Sequence, residues 1–202
     1  MNCLVVEDDS LLRNALERTL KDWGASVECV ASLAAGLAAL TSSPHLVVFD
    51  IGLPDGSGVA IAEAASRLRP LPMMVAISGK ATGPEGFKLA RLGVLGYLPK
   101  PLSLADFTKT LERILAEAPD LVPTLVTAVG REPFQNVLTR LRRAMVEQAL
   151  ALSQGNKTVA AKLLGVTRQA VQQQIRDLDL NELDLNSNVE RQPSNTKVDP
   201  GG

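Results

Sequence analysis

Three carboxylates and a lysine stand where apolar runs end: Glu7 and Asp8 directly after CLVV (3–6), Asp50 closing LVVFD (46–50), and Lys100 following GYLP. Ser78 closes a further run, MMVAIS (73–78). Acids gathered at one edge of a fold repel one another unless something compensates them. A hard divalent cation does so, and Mg2+ takes one or two carboxylates together with waters and phosphate oxygens. A hydroxyl and a fixed positive charge at the same edge would hold phosphoryl oxygens while a carboxylate acts as the nucleophile. The chemistry that fits these residue types is phosphoryl transfer onto an aspartate. Taken singly, an aspartate closing a strand is usually a turn residue and a lysine before proline is usually just exposed. Their joint order carries the reading.

The elements that must position these groups follow from the same pattern. CLVV, LVVFD, MMVAIS and GYLPK (96–100) have strand length and are bounded by turn residues or acids, and SVECV (26–30) supplies a further strand. Helical patterns lie between them at Leu11–Trp23, Ser32–Thr41, Gly58–Leu68, Glu85–Leu92 and, after a Ser103 cap, Leu104–Glu117. Alternation in this order predicts an α/β domain over 1–118. Its doubly wound, flavodoxin-like sheet of five parallel strands would be covered by helices on both faces and carry its functional groups at the carboxyl ends of the strands.

Residues 119–134 belong to a stretch with three prolines and a glycine (APDLVPTLVTAVGREPF, 118–134), which reads as a linker. A helical pattern resumes over Gln135–Ser153, a second short helix follows Gly155-Asn156, a turn falls at Gly165, and a third helix runs from Thr167 to Leu178. Residues 135–178 thus form a small all-α domain, and the polar stretch 179–202 is expected to be a disordered tail.

Charge separates the same segments. Residues 1–130 hold 11 basic and 14 acidic side chains, 131–178 hold 8 and 3, and 179–202 hold 2 and 5, within a net charge of -1. A basic block between acidic neighbours suits nucleic acid, whose phosphates supply most non-specific affinity, although a solvated helix face would also account for it. The 46% of apolar residues in a 202-residue chain suffices for ordinary cores. No run approaches the roughly 18 to 20 apolar residues of a membrane span, and acid follows the N-terminus too soon for a signal peptide, so a cytoplasmic protein is expected. Cys3 and Cys29, without CxxC spacing or clustered histidine, read as buried thiols.

VVEDD (5–9), DIGLPDGSG (50–58), Ser78 and YLPKP (97–101) resemble, in order and separation, the receiver domain of two-component response regulators over residues 1–118. The resemblance implies that Asp50 is the phosphoacceptor and Asp8 a direct Mg2+ ligand. Glu7 would assist through water, and Gly52 would lend a backbone carbonyl to the metal. Lys100 would pair with the phosphoryl group, Ser78 would be the switch hydroxyl, and Tyr97 the aromatic that turns inward when Ser78 moves. It implies a cis bond before Pro101 and places Gly52 and Lys80 at positions that tune phosphate lifetime. A sensor histidine kinase would be the phosphate source.

The segment RLRRAMVEQALALSQGNKTVAAKLLGVTRQAVQQQIRDL (140–178) resembles the Fis family of helix-turn-helix DNA-binding modules. Asn156 would cap the first helix of the motif, Ala160 and Ala161 would permit close helix approach, Gly165 would make the turn and Val166 would anchor the second helix. That second helix, from Thr167 to Arg176, would enter the major groove of double-stranded DNA, with Arg168 able to read guanine through O6 and N7. The family commonly has basic residues where this chain has Gln172, Gln173 and Gln174; glutamine can read adenine or can sit on a solvated surface. Arg140, Arg142, Arg143, Lys157, Lys162 and Arg176 remain for phosphates. Val137, Leu141, Met145 and Leu152 would either form a homodimer face, as the preceding helix does in the family, or belong to the domain's own core. The two resemblances together imply a phosphorylation-controlled transcription regulator, not an enzyme in its own right. A phosphorelay or signalling adaptor, whose C-terminal helices dock a protein, is the competing reading. A hydrolase with an aspartate nucleophile lacks its D-x-D motif here, and no G-x-x-x-x-G-K-[ST] occurs.

Overall fold

The computed structural model describes residues 1–79, 83–117 and 121–180. In chain order the N-terminal elements are β1 (Asn2–Val6), α1 (Ser10–Asp22), β2 (Ser26–Val30), α2 (Leu33–Ala39), β3 (Leu46–Asp50), β4 (Gly52–Leu53), β5 (Gly56–Ser57), α3 (Val59–Ala65), β6 (Met73–Ser78), α4 (Gly83–Arg91), β7 (Val94–Pro99), α5 (Leu104–Ala116) and α6 (Val122–Val126). Five strands pair in parallel in the order β2-β1-β3-β6-β7, and β4 and β5 form a two-residue antiparallel pair directly after Asp50. This is the expected parallel sheet. The last strand starts at Val94, two residues before the apolar run suggested, with an irregularity in its pairing at Met74/Val75.

Both faces of the sheet are covered, which is why its central strands are apolar without alternation. On one face Leu4, Val6, Val47, Phe49, Met74 and Ala76 pack with residues of α2, α3 and α4. On the other, Val5, Val48, Val75 and Ile77 pack with Leu16 and Leu20 of α1 and Phe107 and Leu111 of α5. Phe49 is fully buried; burial of such a side chain contributes about 1.5–3 kcal/mol of transfer free energy. Cys3 is buried and Cys29 half-buried, both as free thiols, and burial first of all pushes the Cys29 thiol up to about 11, out of the range of easy ionisation.

Because β1 and β3 are neighbours while their connections leave to opposite sides, their carboxyl ends frame the crevice where ligands bind in open α/β sheets. Helix starts fix the loops around it. Asp9 caps α1, accepting from the backbone N–H groups of Leu11 and Leu12 at 2.8 and 3.2 Å. At α2 the cap is shared: Ser32 accepts from Ala35 N at 3.2 Å, while Asp55 reaches across from the loop after β3 to accept from Leu33 N and Ala34 N at 2.7 and 3.0 Å.

The chain divides into two compact units, Met1–Thr127 and Ala128–Gly202. The second consists, over its described residues, of α7 (Phe134–Leu152), α8 (Lys157–Leu164) and α9 (Arg168–Asp177) around Val146, Ala149, Leu150, Ala160, Ala161, Val171, Leu178 and Leu180. Asn156 accepts from Thr158 N and Val159 N at 3.0 and 3.2 Å, so it caps α8. Gly165 ends that helix in the left-handed region at φ 66°, where a side chain would be strained. Ala160 has no exposed surface, consistent with close approach of α7 and α8. Val166 is exposed instead of anchoring α9; Val171, fully buried, fills that role. Asp179 and Leu180, assigned from sequence to a tail, close α9: Asp179 adopts φ 49°, Leu180 N donates to Ile175 O at 3.0 Å, and the Leu180 side chain joins the core. The rest of that expected tail, 181–202, lies outside the described residues, as does Lys80.

Candidate functional site: an acidic cleft and a helix-turn-helix

The carboxyl ends of β1, β3, β6 and β7 bring Glu7, Asp8, Asp50, Ser78 and Lys100 together. One oxygen from each of Glu7, Asp8 and Asp50 lies within 4.8 Å of the others, the only such cluster among the described residues. Lys100 Nζ donates to Asp50 Oδ2 at 2.6 Å and to Glu7 Oε1 at 2.7 Å. The other oxygen of Asp50 accepts from Gly52 N at 2.9 Å. Asp50 and Ser78 are buried and Glu7 wholly so, whereas Asp8 is exposed at the mouth. The backbone N–H of Lys100 donates to Ser78 O at 2.8 Å, locking the ends of the last two strands. The Lys100-Pro101 bond is cis.

Electrostatics in the cleft are set by burial against pairing. Burial pushes the Glu7 carboxyl above its usual range, with Lys100 and the Asp9 N–H pulling the other way. Burial would lower Lys100, but hydrogen bonds and charge from Asp50 and Glu7 outweigh it and hold the ammonium above its ordinary value. Glu7 Oε2, buried, has no hydrogen-bond partner. An ionised oxygen left without a donor in the interior is costly. An oxygen-seeking cation would satisfy it, so the donor set fits Mg2+.

Sequence reasoning missed three groups here. Arg13 Nη1 donates to the carbonyls of Glu7 and Asp8 at 2.7 and 3.1 Å and so fixes the acidic turn from α1. Glu85 and Ser57 line the open cleft together with Asp8, Asp9, Asp50, Ser78 and Lys100. Acid in the first turn of α4 was visible in the sequence, but its approach to this edge depends on the tertiary path. Tyr97 does not line the cleft: it stands 41% exposed on β7.

In the second unit Thr167 Oγ1 caps α9, accepting from Ala170 N at 3.2 Å. Arg168 and Gln169 are exposed and Gln172 is half-buried. Gln173 and Arg176 are not free: Arg176 Nη2 donates to Gln173 Oε1 at 2.6 Å, and Gln173 Nε2 donates to Asp177 Oδ1 at 2.5 Å. Lys157, the first residue of α8, is half-buried. Two arginines expected on phosphates have partners within the unit. Arg143 donates to Leu178 O, the C-cap carbonyl of α9, and lies 3.6 Å from Glu147; Arg140 pairs with Glu132 at 3.1 Å.

Comparison with known proteins agrees with this geometry. Residues 3–112, just over half of the chain, match the response regulator receiver domain, and residues 139–178 match the bacterial regulatory protein, Fis family. The acid tolerance regulatory protein ActR of Rhizobium meliloti is 29% identical over 174 residues, covering 84% of this chain and 82% of its own length. The photosynthetic apparatus regulatory protein RegA of Rhodobacter capsulatus is 27% identical over 172 residues, covering 84% and 87%. Among solved structures, the non-phosphorylated HemR receiver domain of Leptospira biflexa superposes with a TM-score of 0.52 at 29% identity, covering 59% of this chain and 97% of its own. The chain therefore belongs to the two-component response regulators, with an N-terminal receiver domain joined to a C-terminal Fis-type helix-turn-helix.

Proposed function

We propose that this protein couples phosphorylation of Asp50 by a sensor histidine kinase to binding of double-stranded DNA by α8 and α9, and so regulates transcription in the cytoplasm. The observation that carries the reading is the Asp50 carboxylate, held at 2.6 Å by Lys100 beside the unpartnered Glu7 Oε2. Glu7, Asp8, Asp50 and the Gly52 carbonyl would hold Mg2+, which when bound offsets the negative charge of the phosphoryl oxygens. An Asp50 oxygen attacks phosphorus, a P–O bond forms, and the P–N bond to the kinase histidine breaks with its electron pair returning to the imidazole. Lys100 then passes from the carboxylate to a phosphoryl oxygen, and the Ser78 hydroxyl donates to another. Tyr97, outward here, would move inward as Ser78 shifts. Gly52 and Lys80 would set how readily water removes the phosphate.

Residues 1–118 would act as the receiver, 119–134 as the linker and 135–178 as the DNA-binding domain, with Thr167, Arg168, Gln172 and Lys157 among its contacts. A homodimer would form through α7, where Met145 and Leu152 are half exposed while Val146, Ala149 and Leu150 fill the domain's own core. Within the described residues no helix is long and apolar enough to cross a membrane.

A specific observation also favours the adaptor reading: α9 holds two basic side chains, Arg168 and Arg176, and one acidic, Asp177, so the reading helix brings a net charge of only +1 to a phosphate backbone. A salt titration separates the two. Binding of the full chain to labelled duplex, with and without a small phosphodonor and Mg2+, should weaken steeply and log-linearly with salt. Salt-independent or absent binding in both states would leave the adaptor reading standing.

A further inference from the structure

The inner side of α9 is set by Val171, Ile175 and Leu178, which pack into the core at helical spacing. Its opposite side presents Gln169, Gln173, Arg176 and Asp177, all exposed. On that outer side three residues form one chain: the Arg176 guanidinium donates to the Gln173 carbonyl oxygen, and the Gln173 amide donates to the Asp177 carboxylate. Both ends of Gln173 are therefore used within the helix. Asp177 is the last residue of α9, beside carbonyls that carry partial negative charge. A carboxylate there works against the helix dipole, which offsets what the Gln173–Asp177 pair adds at its four-residue spacing, so helix stability alone does not account for it. A residue that breaks a local rule without a net structural gain points to function.

We propose that Asp177 is a specificity-determining residue which, through Gln173, keeps Arg176 off the DNA backbone. This rests on the reading of α9 as the DNA-facing helix. Arg176 is the basic residue in the last turn of α9 and would add a sequence-independent phosphate contact; Asp177 withholds that contact and adds repulsion from the same face. Affinity then comes from basic residues on other helices, and α9 contributes discrimination from its first turn. Arg168 reads guanine there, and Gln169, one residue on and without a hydrogen-bond partner among the described residues, suits adenine N6 and N7. Selectivity depends on the ratio of specific to non-specific affinity, so a helix that adds nothing on random DNA sharpens it.

The test uses the full chain and two duplexes, one of random sequence and one enriched from a random pool by the wild-type protein, titrated by fluorescence anisotropy at several salt concentrations. D177A should bind the random duplex on the order of three- to tenfold more tightly and steepen the salt slope by about 0.9, the increment of one added phosphate contact. The gain should be smaller on the enriched duplex. Q173A, which cuts the chain without altering charge, should reproduce part of the gain, and R176A in the D177A background should abolish it. Wild-type binding to neither duplex would overturn the parent reading and this one with it. Wild-type binding with no gain in either D177A or Q173A would overturn the role of Asp177 alone. A D177A gain that survives R176A would also overturn it, since simple removal of a negative charge would then suffice.

Discussion

In the N-terminal cleft Glu7 and Asp50 are held by a lysine from a distant strand at 2.6–2.7 Å, whereas on the first turn of α9 Arg168 and Gln169 stand in solvent. The contrast follows from where the charge sits. A carboxylate taken out of water must meet its compensation within the chain, so the fold assembles most of the site in advance. An exposed side chain keeps its hydration until a partner displaces it, so the recognition surface is half a site. Perturbation should therefore act on chemistry and stability in the cleft, and on discrimination in the helix-turn-helix.

The largest effect is expected at Asp50. With a small phosphodonor and Mg2+, Asp50→Asn should abolish acyl-phosphate formation, followed by reductive trapping and peptide mapping. Labelling at the wild-type rate would falsify the assignment.

Next in size is Lys100→Ala, which leaves Glu7 and Asp50 buried without their cation. Removal of one partner of a fully buried pair costs about 3–5 kcal/mol. Lys100 is a quarter exposed, so about 2 kcal/mol is expected at neutral pH, read by urea unfolding. The raised Lys100 value means that the wild-type contribution is complete below its ordinary pKa and is lost only as pH rises through the higher folded value. In the variant, Glu7, already raised by burial, should make stability fall as pH climbs above the usual carboxylate range. Millimolar Mg2+ should restore part of the loss. A pH-independent loss untouched by Mg2+ would mean that Lys100 acts by packing.

Arg168→Ala sharpens the other half of the comparison. It should cost about 1–3 kcal/mol per half-site on a selected operator and little on random duplex. Equal losses on both would reassign Arg168 to the backbone. Smaller still are the caps: Asn156→Ala and Thr167→Ala should each lower stability by about 1 kcal/mol, measured as a shift of the C-terminal unit's unfolding midpoint, and Thr167→Ala should also loosen Arg168.

The smallest effect is at Asp55, whose carboxyl is held below its usual range by the Ala34 and Leu33 N–H groups. A depressed folded value gives stability that is present above the ordinary pKa and lost as pH falls through the folded one. Asp55→Asn should thus be the less stable protein near neutrality, the gap closing in acid. A constant gap between pH 7 and pH 3 would show that the charge is idle.

The sheet and cleft were legible because each acid directly follows an apolar strand, so topology alone brings Glu7, Asp8 and Asp50 to one edge. What the sequence hid were contacts with no local spacing. Asp55 meets α2 from more than twenty positions away, and Arg143, read as a phosphate contact, closes α9 at Leu178 from 35 positions away. Tyr97 could be placed on a strand, but its outward orientation depends on that strand lying at the edge of the sheet. The Gln173 to Asp177 bond is readable in principle from its four-residue spacing on a helix, but the same glutamine type also suits a base edge, and residue type alone does not separate the two.

Gly58, the N-cap residue before α3, has an ordinary negative φ of -61°, so left-handed freedom is not what it provides. A Cβ built there would lie 2.0 Å from the backbone oxygen of Asp50. The residue that carries the proposed chemistry and the residue that turns the chain away from it thus share one volume, and neither backbone can yield without moving the other. For anyone diversifying this protein, position 58 is a fixed letter: a saturated library passed through a selection for signalling should return glycine alone there, while Gly83 and Gly86, with nothing within 4 Å of an added Cβ and no positive φ, should return many residues.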